Sequence, residues 1–278
     1  MPEGPEIRRM VDDIQNAVGQ CKADKVFFAF DRFKSFEPTL AGRRVTAVEA
    51  RGKAVLVFFS ALGDDGPWCV YSHNQLYGQW RISKADAQPK TGRQLRFAVV
   101  GSDKAAWLYS ASDIRLVRPD DLEQVVYLAR LGPDPVNQTI SVENVLAQFD
   151  DKRFRGRGLG GLLLDQGFVA GVGNYLRSEI LFEAGLMPSV KPKDLSSEAR
   201  ERLAKAILVL IERTYRLKGI TNDPERVKKL KREGRTFSQR RFMVFNRDSA
   251  PCYECETPIV KISVASRRLY YCPLCQAD

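Results

Sequence analysis

The residues with the clearest chemical potential stand at the start of the chain, where Pro2 follows the initiator methionine and Glu3 follows Pro2. Once Met1 is removed, Pro2 carries a free secondary amine that can attack an electrophilic carbon and form an iminium ion. A terminal amine is less basic than a lysine side chain, so a usable fraction is neutral near pH 7. Glu3 then supplies an adjacent carboxyl group for proton transfer. The alternative is that Pro2 only makes the N-terminus easy to process and resistant to peptidases.

A second set of reactive residues lies near the C-terminus, where four of the six cysteines form two Cys-x-x-Cys pairs. This spacing predicts one zinc ion bound tetrahedrally by the thiolates of Cys252, Cys255, Cys272 and Cys275. Because four thiolates leave no open coordination position, we expect the zinc to be structural and not catalytic. The alternating residues between the pairs predict a β-hairpin whose tip carries Arg267, either as a phosphate ligand or exposed to solvent.

The charge balance of the chain favours a polyanionic partner. Its 278 residues include 44 Lys and Arg against 34 Asp and Glu, a formal net charge of +10. Nucleic acid is the commonest such partner, and residues 213–241 concentrate much of the positive charge. No run of the sequence reaches the roughly 20 apolar residues that span a bilayer, and the first twenty residues are too charged for a secretory signal. We expect a monomer of the cytoplasm or nucleoid with no membrane partner.

The elements that must position these residues change in character along the chain. An amphipathic helix is predicted over residues 5–19. Strand patterns separated by turn residues then predict an antiparallel sandwich or barrel, over 44–49, 53–60, 68–72, 79–83, 94–100 and 105–109. Later patterns are helical, over 141–149, 160–169, 174–185 and 196–217. Residues 242–246 and the zinc segment are expected to be strands.

These elements predict an α+β fold: an N-terminal antiparallel β-sandwich with flanking helices, followed by a helical domain with a zinc β-hairpin. The predicted divisions are a β domain 1–130, a linker 131–140, a helical domain 141–246 and a zinc hairpin 247–278.

Three further segments have residue types that suit nucleic-acid binding. The glycine-rich run from Gly167 to Asn174 can present N–H groups to an anion at a helix start, or can allow close helix packing. Lys53, at a strand entry after Gly52, can reach a phosphate or remain solvated. The loop containing Gln75, Leu76 and Tyr77 can wedge between bases, although pattern alone favours a turn with Leu76 in the core.

Taken in order, five motifs resemble one known family. They are Met-Pro-Glu-Gly-Pro-Glu at the start, Arg51-Gly52-Lys53, Ser-His-Asn-Gln-Leu-Tyr-Gly, Gly-Val-Gly-Asn174 and the terminal zinc hairpin. Together they cover nearly the whole chain and are similar to the bacterial formamidopyrimidine-DNA glycosylase/endonuclease VIII family, in particular its endonuclease VIII branch. The helices around Asn174 then correspond to the family's helix–two-turn–helix element.

The resemblance implies a bifunctional enzyme of base excision repair, which excises oxidised pyrimidines from double-stranded DNA and cuts the strand by β,δ-elimination. It implies that Pro2 attacks C1′ of the damaged nucleotide and that Glu3 is the acid/base partner. Its other implied site residues are Lys53, Asn174 and Arg267 on phosphates, Gln75, Leu76 and Tyr77 in the gap left by the flipped nucleotide, and Glu6 and Asp165 supporting the active site.

Two departures from the family pattern bear on the lesion preference and on the hairpin tip, respectively. Residues 218–241 are longer and more basic than is usual in endonuclease VIII, and Arg268 replaces a more usual proline. Two alternative functions remain at this point. One is the same chemistry on oxidised purines, against which the Gln75-Leu76-Tyr77 loop argues. The other is a non-catalytic protein that binds damaged DNA, against which Pro2, Glu3 and Lys53 argue.

Overall fold

The computed structural model describes residues 2–276 of the chain. Over that range, the chain folds into two compact units. The first contains Pro2 and residues 7–130, and the second contains residues 3–6 and 131–276. Among the described residues, no helix combines the length and the apolar character that crossing a bilayer requires.

The strands of the first unit are β1 Lys25–Phe28, β2 Val45–Arg51, β3 Ala54–Phe59, β4 Trp68–His73, β5 Gln79–Lys84, β6 Leu95–Val100, β7 Lys104–Tyr109 and β8 Asp113–Val117. They form two antiparallel four-stranded sheets in the orders β1-β6-β7-β5 and β2-β3-β4-β8. Side chains of both sheets share one core, in which Phe28 and Phe97 of one sheet lie with Val57 and Val70 of the other. The predicted antiparallel sandwich is confirmed, with β1 and β8 added to the predicted strands.

Helix α1, Gly4–Val18, agrees with the predicted amphipathic helix. Its apolar residues Ile7, Val11, Ile14 and Val18 recur at three- or four-residue intervals and are buried in the same core. The shorter helices that follow are α2 Asp31–Lys34, α3 Glu37–Leu40 and α4 Val126–Ala129, with a 3-10 turn at Pro119–Gln124.

The second unit is mainly helical. Its helices are α5 Val142–Asp150, α6 Leu159–Leu162, α7 Asn174–Ala184, α8 Ser197–Arg216, α9 Pro224–Arg232 and α10 Phe237–Arg240, with a 3-10 turn at Pro192–Asp194. Strands β9 Val260–Val264 and β10 Arg267–Tyr271 pair antiparallel as the predicted hairpin. Ala265 and Ser266 form its turn, with φ values of 53° and 58°. Arg267 follows this turn directly as the first residue of β10.

Residues 242–246 form bends and turns, so the strand predicted there is wrong. The backbone N–H groups of Met243, Val244 and Phe245 each donate to the carboxylate of Glu179, at 2.8 Å. Burial raises the pKa of Glu179, and the hydrogen bonds from Thr221 and from these amides oppose that rise. The buried carboxylate of Glu179, on α7, therefore accepts the hydrogen bonds that these amides would otherwise donate to a partner strand.

One helical prediction needs revision, and one helix was not predicted. The segment 160–169 is helical only within α6, and turns follow it through Asp165 and Phe168. Conversely, helix α9 lies in the basic segment, for which the sequence pattern indicates no element. Leu230 is the one buried residue of this nine-residue helix. The segment therefore has too few apolar positions for a helical periodicity to be recognised.

Candidate functional site

Glu3 is buried at the start of α7, with 3% of its surface exposed. Its carboxylate accepts hydrogen bonds from the backbone N–H groups of Gly173 at 2.8 Å, Tyr175 at 2.8 Å and Leu176 at 3.3 Å. Amides in the first turn of a helix have no intrahelical acceptor, and the helix dipole adds positive potential at that end. The start of α7 therefore stabilises Glu3 as a carboxylate anion.

The glycine-rich turn before α7 combines both roles that the sequence left open. It presents N–H groups to an anion, and within this unit that anion is Glu3. It also permits close packing: Gly4 donates its N–H to the Gly171 carbonyl at 2.8 Å, and a Cβ on Gly4 would lie 2.7 Å from Gly171 Cα. A Cβ on Gly173 would lie 2.4 Å from the Glu3 carboxyl carbon. A side chain at Gly173 would therefore displace Glu3.

Glu6 supports the same segment from the next turn of the chain. One of its oxygens accepts the backbone N–H of Glu3 at 3.0 Å, and both lie 2.9 Å from the hydroxyl of Tyr175. Arg241 donates to Glu6 through Nη2 at 3.0 Å. Burial and the charges of Glu3 and Glu6 raise the pKa of Tyr175 well above its ordinary value, so its hydroxyl stays a donor. The basic segment thus ends in an arginine that holds the N-terminal turn.

Arg177, on α7, has a fully buried side chain and no counterpart among the predicted site residues. Its guanidinium donates to Asn174 Oδ1 at 3.0 Å and to four carbonyl oxygens, of Gly160 at 2.7 Å, Val264 at 3.2 Å, Arg267 at 3.1 Å and Arg268 at 3.2 Å. Burial, and after it the charge of Arg267, lowers the pKa of Arg177 to about 10. Arg177 therefore stays charged at neutral pH and fixes the hairpin tip to Asn174.

The four predicted zinc ligands lie together. Their Sγ atoms are all within 4.8 Å of one another, with separations of 3.8 Å for Cys252 and Cys275 and 3.4 Å for Cys255 and Cys272. Four sulfurs bonded tetrahedrally to zinc at about 2.3 Å stand about 3.8 Å apart. The cluster therefore fits one structural zinc ion, which the four thiolates would hold at the base of the β9–β10 hairpin.

In the first unit, Pro2 is half-buried and Lys53 lies at the turn between β2 and β3. Gly52 has a φ of 58°, a left-handed conformation that glycine adopts without strain. The N–H of Lys53 donates to the hydroxyl of Tyr127 at 2.8 Å, and the Tyr127 ring packs edge-on against His73, 4.8 Å between centroids. Two aromatic side chains therefore fix the backbone from which the Lys53 side chain projects.

The loop after β4 exposes its apolar residues. Leu76 and Tyr77 are 64% and 70% exposed, so the interpretation that Leu76 packs in the core is wrong. The base of the loop is well held: Gln75 has a φ of 49°, donates its N–H to His73 Nδ1 at 3.1 Å and accepts from Ser112 Oγ at 2.8 Å. A supported backbone with two exposed large side chains suits insertion into a base stack.

The remaining predicted residues have distinct surroundings. Arg267 is exposed on the hairpin. Arg177 donates to the backbone carbonyl oxygen of Arg267, and this contact does not involve the Arg267 guanidinium. The carboxylate of Asp165 pairs with Arg157 at 2.5 Å and caps the N–H of Gly167 at 2.9 Å, so within its unit it stabilises the turn before the glycine-rich segment.

The second unit therefore brings together Glu3, Glu6, Asn174 and the hairpin tip. Sequence reasoning missed the three residues that join them, namely Tyr175, Arg177 and Arg241. Their position was the only signal for them in the sequence. Tyr175 and Arg177 lie close after Asn174, and Arg241 ends the basic segment 213–241.

Family models match three consecutive parts of the chain. The formamidopyrimidine-DNA glycosylase N-terminal domain matches residues 1–115, its H2TH domain matches residues 131–224, and the zinc finger found in FPG and IleRS matches residues 250–277. The last match agrees with the zinc site that the four cysteines form.

Full-length relatives and solved structures agree with these matches. Endonuclease 8 of Shigella sonnei strain Ss046 is 42% identical over 276 residues, covering 99% of this chain and 100% of the relative, and Endonuclease 8 of Escherichia coli O9:H4 strain HS is 43% identical with the same coverage. Lactococcus lactis Fpg bound to DNA with an abasic site has the same fold, with a TM-score of 0.78, 21% identity and coverage of 99% and 100% of the two chains. The chain therefore belongs to the formamidopyrimidine-DNA glycosylase/endonuclease VIII family, as its motifs predict.

Proposed function

We propose that this protein is a bifunctional DNA glycosylase and AP lyase of base excision repair, which excises oxidised pyrimidines from double-stranded DNA. Family membership gives the class of activity, and the identity to Endonuclease 8 over the full chain favours pyrimidine lesions. The observation that carries the mechanism is the buried Glu3 carboxylate, held by three backbone amides directly after the residue that becomes the N-terminus. Its substrate would place it in the cytoplasm, on nucleoid DNA.

The chemistry begins with the neutral amine of Pro2, exposed by removal of Met1. Its nitrogen lone pair forms a bond to C1′ of the damaged nucleotide as the glycosidic bond breaks and the base departs with its electron pair. Opening of the sugar ring, with a proton delivered to O4′, leaves an iminium ion between nitrogen and C1′. The iminium acidifies the C2′ proton, so its removal expels the 3′ phosphate, and a second elimination expels the 5′ phosphate.

Glu3 is the group that moves protons in this sequence. As an anion stabilised by α7 it can accept the proton that the Pro2 nitrogen loses on attack, and then return it to O4′. Its position depends on Gly173, which leaves room for the carboxyl carbon, and on Glu6, which binds the Glu3 backbone.

DNA binding uses polar, cationic and apolar side chains from both units. Lys53, Asn174 and Arg267 contact phosphates that flank the lesion, because cations and amide donors suit phosphate oxygens. Leu76 and Tyr77 enter the stack where the damaged nucleotide leaves it, and their exposure supports that role. Extruding a nucleotide costs a few kcal/mol, and damaged pairs lower that cost.

Cleavage of defined duplexes tests this function. We expect single-turnover cleavage of a thymine-glycol duplex, leaving phosphates at both ends of the gap, with an undamaged duplex as control. Faster cleavage of an 8-oxoguanine duplex would assign the protein to purine lesions instead. Binding of both duplexes without cleavage, by protein whose mass shows loss of Met1, would indicate a non-catalytic binding protein.

Replacement of Arg177 tests how the phosphate ligands are held. Because Arg177 joins Asn174 to the backbone of Arg267, we expect Arg177→Met to weaken duplex binding by roughly 10- to 100-fold, or ~1.4–2.8 kcal/mol. Fluorescence anisotropy measures the dissociation constant, and thermal melting confirms that the variant is folded.

The Asn174→Ala/Arg267→Ala background is the control for this replacement. If Arg177 acts through these two residues, its replacement there should change affinity by less than threefold. A full effect in that background would show that Arg177 supports binding by another route.

A further inference from the structure

Helix α9 carries a dense set of cations on its outward side. Lys228, Lys229, Lys231 and Arg232 fall within five consecutive residues and are all exposed, whereas Leu230 between them is buried. At 100° per residue, the four cations cover the helix surface opposite Leu230. The outward side of the helix thus consists of charged side chains.

Three of these cations are available to bind a partner. Lys228 pairs with Glu225 at 2.7 Å. In contrast, Lys229, Lys231 and Arg232 make no ion pair with any residue that the structure describes. Mutual repulsion of unpaired cations within one turn is unfavourable for the free helix, so a polyanion that neutralises them would bind favourably.

The helix is fixed to the zinc module, which we define as residues 247–276. Arg226 pairs with Glu254 at 2.6 Å and lies over the ring of Tyr253, 5.3 Å from its centroid. The hydroxyl of Tyr253 donates to the Gln239 carbonyl at 3.0 Å. Both residues of the zinc module stand next to a zinc ligand, so the metal site supports α9 as well as the hairpin.

Hydrogen bonds join the two ends of the segment that carries α9. Buried Asn222 donates to the carbonyl oxygens of Arg240 at 3.2 Å and Phe242 at 3.5 Å. Asp223 caps the helix by accepting the N–H of Arg226 at 2.8 Å. The cations are therefore presented from a defined framework, and little backbone ordering is needed when they bind.

We infer that the outward side of α9 is a second DNA-binding surface, which contacts duplex phosphates without regard to base sequence. Lysine and arginine side chains without apolar neighbours suit a phosphate backbone, whereas protein interfaces centre on aromatic and apolar anchors. This inference rests on the proposed function, because it assumes a duplex substrate. It gives α9 a role in affinity and none in the chemical step.

The variant Lys229→Gln/Lys231→Gln/Arg232→Gln tests the inference. Each phosphate contact contributes about 0.9 to the slope of log affinity against log salt, so loss of three contacts should reduce the slope by about 2 to 3. We expect its affinity for a duplex with a tetrahydrofuran abasic analogue to fall at least tenfold in 0.15 M salt. Single-turnover cleavage of thymine-glycol duplex at saturating protein should keep the wild-type rate.

The matched control is Lys193→Gln/Arg202→Gln/Lys205→Gln, which removes the same charge from exposed residues elsewhere in the second unit. An unchanged salt slope for the α9 variant, or an equal fall in the control, overturns the inference. Wild-type DNA affinity in the α9 variant, together with lost binding to an acidic peptide, would assign the surface to a protein and also overturn it. Failure of the wild-type protein to cleave any lesion contradicts the proposed function instead.

Discussion

Protein that keeps Met1 is expected to lose lesion cleavage by more than ~10³-fold, the scale on which removal of a catalytic nucleophile acts. In that protein the nitrogen of Pro2 is part of an amide, and its lone pair is delocalised into the carbonyl. The nitrogen cannot attack C1′, so borohydride should trap no covalent complex with an abasic duplex. Single-turnover cleavage and denaturing electrophoresis of the trapped complex measure the two losses.

Treatment of the same preparation with methionine aminopeptidase provides the matched control. Intact mass should fall by one methionine, and both cleavage and trapping should return. A second variant, Pro2→Gly, keeps a terminal amine and should still be trapped, more slowly than the wild type. Cleavage at the wild-type rate by protein with verified Met1 would remove Pro2 from the mechanism.

Glu3→Gln should have the second largest effect, a loss of base excision on the order of 10²–10⁴-fold. The amide cannot accept the proton from Pro2 or deliver one to O4′. On a preformed abasic site the base has already departed, so trapping by borohydride should fall much less than excision does. The ratio of these two rates is the measurement, since a general loss of folded protein would lower both equally.

The stability of Glu3→Gln needs a separate control, because the carboxylate accepts three backbone amides. The NH₂ group of the new glutamine is a donor and cannot accept hydrogen bonds from these N–H groups. The lost hydrogen bonds lower the free energy of unfolding by about 1–3 kcal/mol. Thermal melting and duplex affinity should show that the variant is folded and binds DNA. Unchanged excision of thymine glycol by Glu3→Gln would exclude Glu3 from proton transfer.

Much of the site was predictable because its chemistry resides in local patterns. The zinc ligands follow from spacing alone, since two Cys-x-x-Cys pairs place four thiolates at one metal. The Pro2-Glu3 start and the order of the motifs indicate the family. Helix α1 follows from the interval between its apolar residues, and the sandwich follows from alternating strands.

Other features depended on contacts between residues far apart in the chain. The pattern of the loop alone does not show that Leu76 is exposed, because an apolar residue in a short loop reads as core unless the surrounding surface is known; only the family motif indicated exposure. Residues 242–246 read as a strand, since nothing local shows that Glu179 takes their amides. Pairs such as Arg241 and Glu6 lie too far apart in sequence for any periodicity to join them.

The sequence by itself determined the candidate reactive groups of this protein, the metal site and the family, because residue type and short-range spacing decide those properties. The tertiary structure alone decided what surrounds them. The carboxyl group of Glu3 is held by amides at the start of α7, and Arg177 joins Asn174 to the hairpin. The physical reason is that hydrogen bonds and burial depend on distances in space, which the chain sets only when it folds.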